Sequence, residues 1–132
     1  MKVAKYNAKD SVITIDGVYV TGLAEDFITG SKDEDYFSAE VGAQGDVVKN
    51  EINNDLGTVE VTVQSTSPQV PFLKSLKKRS EPFPVWCTNK LLGERFGGTS
   101  ANLKSDPEVS RGASCDNLTF TFQVFDYVND AI

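Results

Sequence analysis

Residues 54–68 read NDLGTVEVTVQSTSP, and the middle of this stretch alternates without a break. Val59, Val61 and Val63 fall on one side; Thr58, Glu60, Thr62 and Gln64 fall on the other. Successive side chains of an extended chain point to opposite faces, so the pattern specifies a strand buried on one face and polar on the other. The polar face is either ordinary solvent-facing surface or the lining of something.

The same period recurs outward from this strand. Residues 11–21, SVITIDGVYVT, put Asp-Gly between two apolar runs. That dipeptide is the strongest short-range hairpin signal, because both central residues of the turn need positive φ. Residues 27–31 and 36–41 read as weaker strands on either side of Lys32-Asp33-Glu34-Asp35. The next piece, GAQGDVVKNEINNDLG at 42–57, is rich in Gly, Asn and Asp around Val47-Val48. It is either a loose connector or a long hairpin arm projecting from the sheet.

After Ser-Thr-Ser-Pro the period changes. Phe72, Leu73 and Leu76 share one side of a helix, Pro71 suits its first turn, and Lys74, Lys77, Lys78 and Arg79 crowd its C-terminal end. The spacing predicts one helix from about Pro71 to Arg79. FPVWCT at 83–88 is another strand, with Trp86 expected inside it. Gly93, Gly97 and Gly98 mark a loop, and 101–104 a short strand before Asp106-Pro107. The segment NLTFTFQVFDYV at 117–128 closes the chain with Leu118, Phe120, Phe122 and Val124 alternating against Thr119, Thr121 and Gln123. About six to eight strands and one helix predict a mainly β fold: an antiparallel two-sheet sandwich or small barrel with one flanking α-helix. One domain over residues 1–132, with an arm at about 42–57, is the expected organisation.

Composition excludes several classes. The chain has 132 residues, a net charge of −6 and no histidine. An acidic chain of this kind is a poor candidate for gripping nucleic acid, whose binding rests on Lys and Arg releasing counterions. It is equally poor at docking on an anionic membrane. The missing histidine removes the commonest general base and metal ligand. No phosphate cradle or nucleophile elbow is spelled out, so neither an enzyme nor a cofactor is expected. Asp33 and Asp35 could pair for acid–base work, but a solvated cluster is the plainer reading. Cys87 and Cys115 lack metal spacing and read as two buried reduced thiols, or as a single bridge only if their strands lie side by side. Asn117-Leu118-Thr119 spells a glycosylation sequon but reads as the start of a strand. The N-terminus shows no apolar run behind its lysines, which predicts a product made and folded in a cytoplasm.

Charge is unevenly placed. Between Glu25 and Glu60 ten acidic residues face only Lys32 and Lys49, whereas between Lys74 and Arg95 six basic residues face Glu81 and Glu94. This is either incidental surface polarity or the mark of a self-complementary molecule whose acidic part meets the basic part of the next copy, generating rings or filaments. Few blunting devices protect the strands at 58–64 and 118–125, so their edges are expected to be open and used in assembly.

The order of segments resembles the tail tube proteins of contractile-tailed bacteriophages. The resemblance rests on VITIDGVYVTGLAEDFI, on KDEDYFSAEVGAQGDVVKNEINNDLGTVEVTVQSTSP, and on the helix with FPV, over roughly residues 6–88. Its specific core is Glu34-Asp35, the Gly42–Gly45 turn, Asn54-Asp55, Gly57-Thr58 and Ser-Thr-Ser-Pro. The last third departs from the pattern, with Leu118 where the family has an aromatic residue.

The resemblance implies a fold of two packed antiparallel sheets with a flanking helix, shared with type VI secretion tubes. It implies homohexameric rings stacked head to tail into the inner tube of a phage tail, a virion component assembled in the host bacterial cytoplasm. The implied partners are the sheath, the baseplate or tube initiator and the tail terminator, with genome DNA passing through the lumen unbound. The arm would bridge rings, placing Gly42, Gly45, Asp46, Val47, Val48, Asn50, Asn53, Asn54 and Asp55 at contacts. Asp33, Glu34, Glu40, Glu51, Glu60 and Thr62 are the candidates for an acidic and polar lumen that repels phosphate. The alternatives are the tube of a secretion or other contractile injection system, and a β-sandwich binding module. The latter would need an aromatic platform that a buried Trp86 does not supply.

Overall fold

A computed structural model describes all residues, 1–132. The alternation that opens the sequence becomes strand β6, Gly57–Val63, whose Val59, Val61 and Val63 are fully buried while Glu60 is exposed. The other main strands are β1 (Ser11–Ile15), β2 (Val18–Tyr19), β3 (Leu23–Lys32), β7 (Phe83–Asn89), β8 (Glu94–Ser105), β9 (Leu118–Val124) and β10 (Val128–Ala131). All pair antiparallel in one sheet of order β2-β1-β7-β8-β9-β6-β3, with β10 added to β8. A second sheet holds only β4 (Phe37–Val41) and β5 (Val47–Glu51).

Connectivity forces the large sheet to curl. Its two end strands, β2 and β3, are consecutive in the chain and joined through Val20–Gly22. Four residue steps span at most roughly 14 Å, whereas six inter-strand spacings of a flat sheet would separate those strands by about 29 Å. The sheet therefore wraps into an open barrel. Ile13, Ile15, Val61, Phe83, Val85, Phe120 and Phe122, from both halves, meet in one core. Phe83 meets Phe122 edge-on, with ring centroids 6.1 Å apart.

The mainly β architecture with one helix is as expected, and its details differ in ways that have physical causes. The helix is α1, Val70–Ser75, continued by a 3-10 turn at Leu76–Lys78. Leu73 and Leu76 are buried, with Val70 and Phe72 packed against the core; each fully buried large side chain stabilises by about 1.5–3 kcal/mol. Gly97 and Gly98 do not break the chain into a loop. They lie inside β8, where the strand exchanges β10 for β9 as its neighbour. Gly97 has φ +131, and a Cβ there would overlap the Val85 carbonyl. Glycine thus permits a bend in a strand instead of ending it. Asp126 holds that bend, accepting bonds from the Thr99 hydroxyl and from the N–H groups of Thr99 and Ser100.

The strands expected to be open edges are interior: β6 lies between β3 and β9, and β9 between β6 and β8. β10 was not anticipated, because VNDA carries no apolar alternation. Trp86, expected inside, is half-buried on the outer face, with the Arg95 guanidinium 4.3 Å from its ring. Cys87 is buried, and desolvation pushes its thiol up to about 11. Cys115, expected to be buried, is exposed in the loop before β9.

Candidate assembly surfaces: a polar wall and a projecting arm

Because one face of each strand fills the core, the opposite faces of β3, β6 and β9 form a continuous outer wall. Register sets its composition: Ser31 pairs with Thr58 and Thr58 with Gln123, Thr29 with Glu60 and Glu60 with Thr121, and Thr62 with Thr119. The wall is thus mostly hydroxyl and amide. Thr62 and Thr119 share a hydrogen bond of 3.0 Å across the strands. At one end Asp33 closes the array, accepting from the Thr58 hydroxyl at 2.8 Å and the Gln123 amide at 3.1 Å. Those bonds, Gln123 first, hold the Asp33 carboxyl below its ordinary range, helped by the charge of Lys104. Asp33 is therefore a carboxylate fixed in the bend after β3.

The arm is a hairpin. β4 and β5 pair from Phe37↔Glu51 to Val41↔Val47 around a tight turn at 42–46. Gly42 N–H donates to Asp46 at 2.8 Å, and Gly45 takes φ +93. Every residue of both strands is exposed. Pairing puts Phe37, Ala39, Val41, Val47, Lys49 and Glu51 on one face and Ser38, Glu40, Val48 and Asn50 on the other. Phe37, Val41, Val47 and Val48 are each more than half exposed. An isolated hairpin of this size is marginal in water, and the apolar side chains exposed on both faces make the arm a candidate contact surface.

The arm is fastened at its root. The Asp33 N–H donates to Leu56 at 3.0 Å, and the Ile52 N–H to Tyr36 at 2.9 Å. Lys32 Nζ reaches the carbonyls of Asn54 (2.8 Å) and Glu34 (3.3 Å) and lies 4.6 Å above the Tyr36 ring. The Tyr127 N–H donates to Asp55, and its ring packs so closely on Gly57 that any Cβ there would overlap it. Burial, and then the neighbouring Tyr36, raise the Tyr127 hydroxyl above its ordinary value. Lys32 and Tyr127 were not singled out in the sequence. Lys32 looked like one member of a charged run, and Tyr127 like one more aromatic at the chain's end.

Among the candidate lumen residues, Asp33, Glu60 and Thr62 come together on the wall, and Glu34 sits in the turn beside it. Glu40 and Glu51 do not join them; they lie on opposite faces of the arm. Among the candidate contact residues, Gly42, Gly45 and Asp46 form the tip, and Val47, Val48 and Asn50 the exposed strand. Asn53, Asn54 and Asp55 follow in the return to β6, where Asn54 and Asp55 serve the root. The structure contains no cluster of three or more metal-ligating side chains, and no helix long and apolar enough to cross a membrane.

The same fold occurs in solved structures along nearly the whole chain. One is a chain of the cryo-EM structure of the anti-feeding prophage cap, the tube terminating cap (TM-score 0.66, 9% identity, covering 100% of this chain and 96% of that one). Another comes from the sheath/tube terminator of the extracellular contractile injection system PVC in its extended state (TM-score 0.61, 12% identity, covering 98% and 99%). A third comes from the sheath-tube complex of that system in the extended state (TM-score 0.62, 13% identity, covering 97% and 93%). At such identities the likeness is one of fold. No family model and no curated protein sequence matches the chain.

Proposed function

We propose that the protein is a structural subunit of a contractile tail, assembling into hexameric rings that stack into the inner tube through which genome DNA is delivered. The observation that carries this reading is the free-standing β4–β5 hairpin, exposed on both faces and clamped at its root. A device of that kind serves contact with another copy. The fold shared with chains of sheath-tube and terminator assemblies supports it, as does the segment order of the sequence. In the assembled tube the β3-β6-β9 face is the channel wall, with Asp33, Glu60 and Thr62 facing the lumen and Glu34 at its rim. Glu40 and Glu51 belong to the arm contact. Six copies, at −6 each, carry −36, which opposes adsorption of DNA phosphates. The sheath surrounds this tube, and initiator and terminator proteins close its ends. No step of this work requires catalysis.

Negative-stain microscopy of the purified protein tests the reading. Hollow rods, or rings that stack, are expected, and deletion of residues 42–53 is expected to leave rings that do not stack. Dispersed monomers at high concentration would refute it and favour a binding module. A second reading, a ring that caps a tube, is favoured by the match to the anti-feeding prophage cap; single rings from the intact chain would select it. DNA-filled particles would distinguish a phage tail from the tube of a secretion or other injection system.

A further inference from the structure

The uneven charge of the sequence acquires a direction in the fold. Strand β6 receives the arm at its N-terminal end and passes into the helix beyond its C-terminal end. β3, beside it, runs the other way, leaving the helix end at Leu23 and reaching the arm at Lys32. The helix end is tied down there by Gln69 and Ser67, which bond to Thr21. Arm and helix therefore occupy opposite ends of the barrel.

The outer side of α1 and its 3-10 extension exposes Pro71, Lys74, Ser75 and Lys78, at one-face helical spacing. Two neighbouring cations are occupied: Arg79 with Asp16 at 2.5 Å, and Lys77 with Asp106 at 3.6 Å. Lys74 and Lys78 have no ion pair within the chain. The hairpin carries Glu40, Asp46 and Glu51 against Lys49, which lies 4.8 Å over the Phe37 ring.

We infer that the seat of the arm is this helix face on a second copy, where Lys74 and Lys78 meet Glu40 and, at the tip, Asp46, and Val48, on the same face of the hairpin as Glu40, covers Pro71 and the half-exposed Phe72. The inference rests on the tube reading above and names the surface that the arm grips. A contact between two different ends of one molecule is heterologous and repeats without closing, as stacked rings require. Like-charged ends repel, so the same charges reject head-to-head stacking.

The test is a charge swap in the full chain. Lys74→Glu with Lys78→Glu, at exposed positions that leave Leu73 and Leu76 in place, is expected to abolish rods while rings persist. Six weak pairs per ring act together, so rod formation should need at least about tenfold more protein. Adding Glu40→Lys and Asp46→Lys to the same chain should restore rods. Wild-type rods should shorten between about 0.15 and 1 M salt, as the screening length falls from about 8 to 3 Å. Lys74→Gln with Lys78→Gln, which lacks the repulsion, should give shorter rods and serves as the milder variant. Normal rods from the Glu variant would overturn the inference and leave the tube reading standing. Loss of rings in a variant with native circular dichroism would also overturn it, by placing the helix in the ring contact. A wild-type chain that forms no rods at all would remove the tube reading, and the inference with it.

Discussion

Lys32 is the residue on which the arm's attitude depends, and its removal has a calculable effect. Its ammonium bonds two carbonyls, one on the chain entering the arm and one on the chain leaving it, and covers the Tyr36 ring. A hydrogen bond from a charged donor contributes about 1.5–3 kcal/mol, and an exposed cation–π contact about 0.5–1. Lys32→Met keeps the stem and deletes the charge. The site is half-exposed and the Glu34 bond is long, so the low end applies: a loss of about 2 kcal/mol, or about 30-fold more frequent opening of the root. Native-state amide exchange reads this directly. The Asp33 and Ile52 amides, which stitch the root, and the β4–β5 amides should exchange about 30-fold faster. The amides of β6 and β9 should keep their protection, because β4 and β5 pack mainly on each other. Equal acceleration in β9 would mean that Lys32 supports the whole fold. No change in the arm would mean that its charge clasps nothing.

Other outcomes follow from the geometry of the wall and the bend. Asp33 has a folded pKa below its unfolded value. The unfolded chain therefore binds more protons as acid is added, and the stability that Asp33 contributes is present above its unfolded pKa and lost as pH falls through the folded one. The urea midpoint of Asp33→Asn should accordingly vary less with pH below about 4 than that of the wild type. Equal acid sensitivity would show that its bonds to Gln123 and Thr58 do not persist in solution. Gly97→Ala should lower the melting temperature by several degrees or more, since it combines a positive-φ penalty of about 1 kcal/mol or more with overlap on the Val85 carbonyl; an unchanged melting temperature would remove the bend. In assembled particles, Glu60→Lys should leave tubes intact and slow DNA ejection. Wild-type ejection kinetics would take Glu60 off the lumen.

Where each residue's environment was local, the fold could be read from sequence. The valines of 57–63, the Asp-Gly hairpin and the helix face of Leu73 and Leu76 are decided by period and turn chemistry within a few residues. What could not be read is what depends on neighbours distant in the chain. Gly97 and Gly98 spell a loop by composition and become a bend only because β9 and β10 approach β8 from one side in succession. The strand at 58–64 looks like an edge by itself and is interior because β3, 25–40 positions earlier, and β9, 55–67 positions later, flank it. Cys115 shares its apolar character with Cys87 and lies in an exposed loop, since nothing in a single side chain fixes which side of the barrel it reaches.

The site was half legible for a related reason. A polar face such as Thr58, Glu60 and Thr62 shows in the alternation, but its partition from Glu40 and Glu51 does not, because acidity alone cannot say which sheet a carboxylate belongs to. The decisive quantity is the arm's lack of support. Two strands of five residues, exposed on both faces, bury too little to be stable as a separate sheet. The hairpin gains order from only two sources, the root clasp and whatever covers Val47 and Val48. The clasp fixes its root at the end of the barrel opposite the helix. A surface covering it must then lie beyond the molecule's own boundary, and under the stacking proposed above the basic helix face, where Lys74 and Lys78 lack an ion pair, is an oppositely charged surface that the next copy would present there.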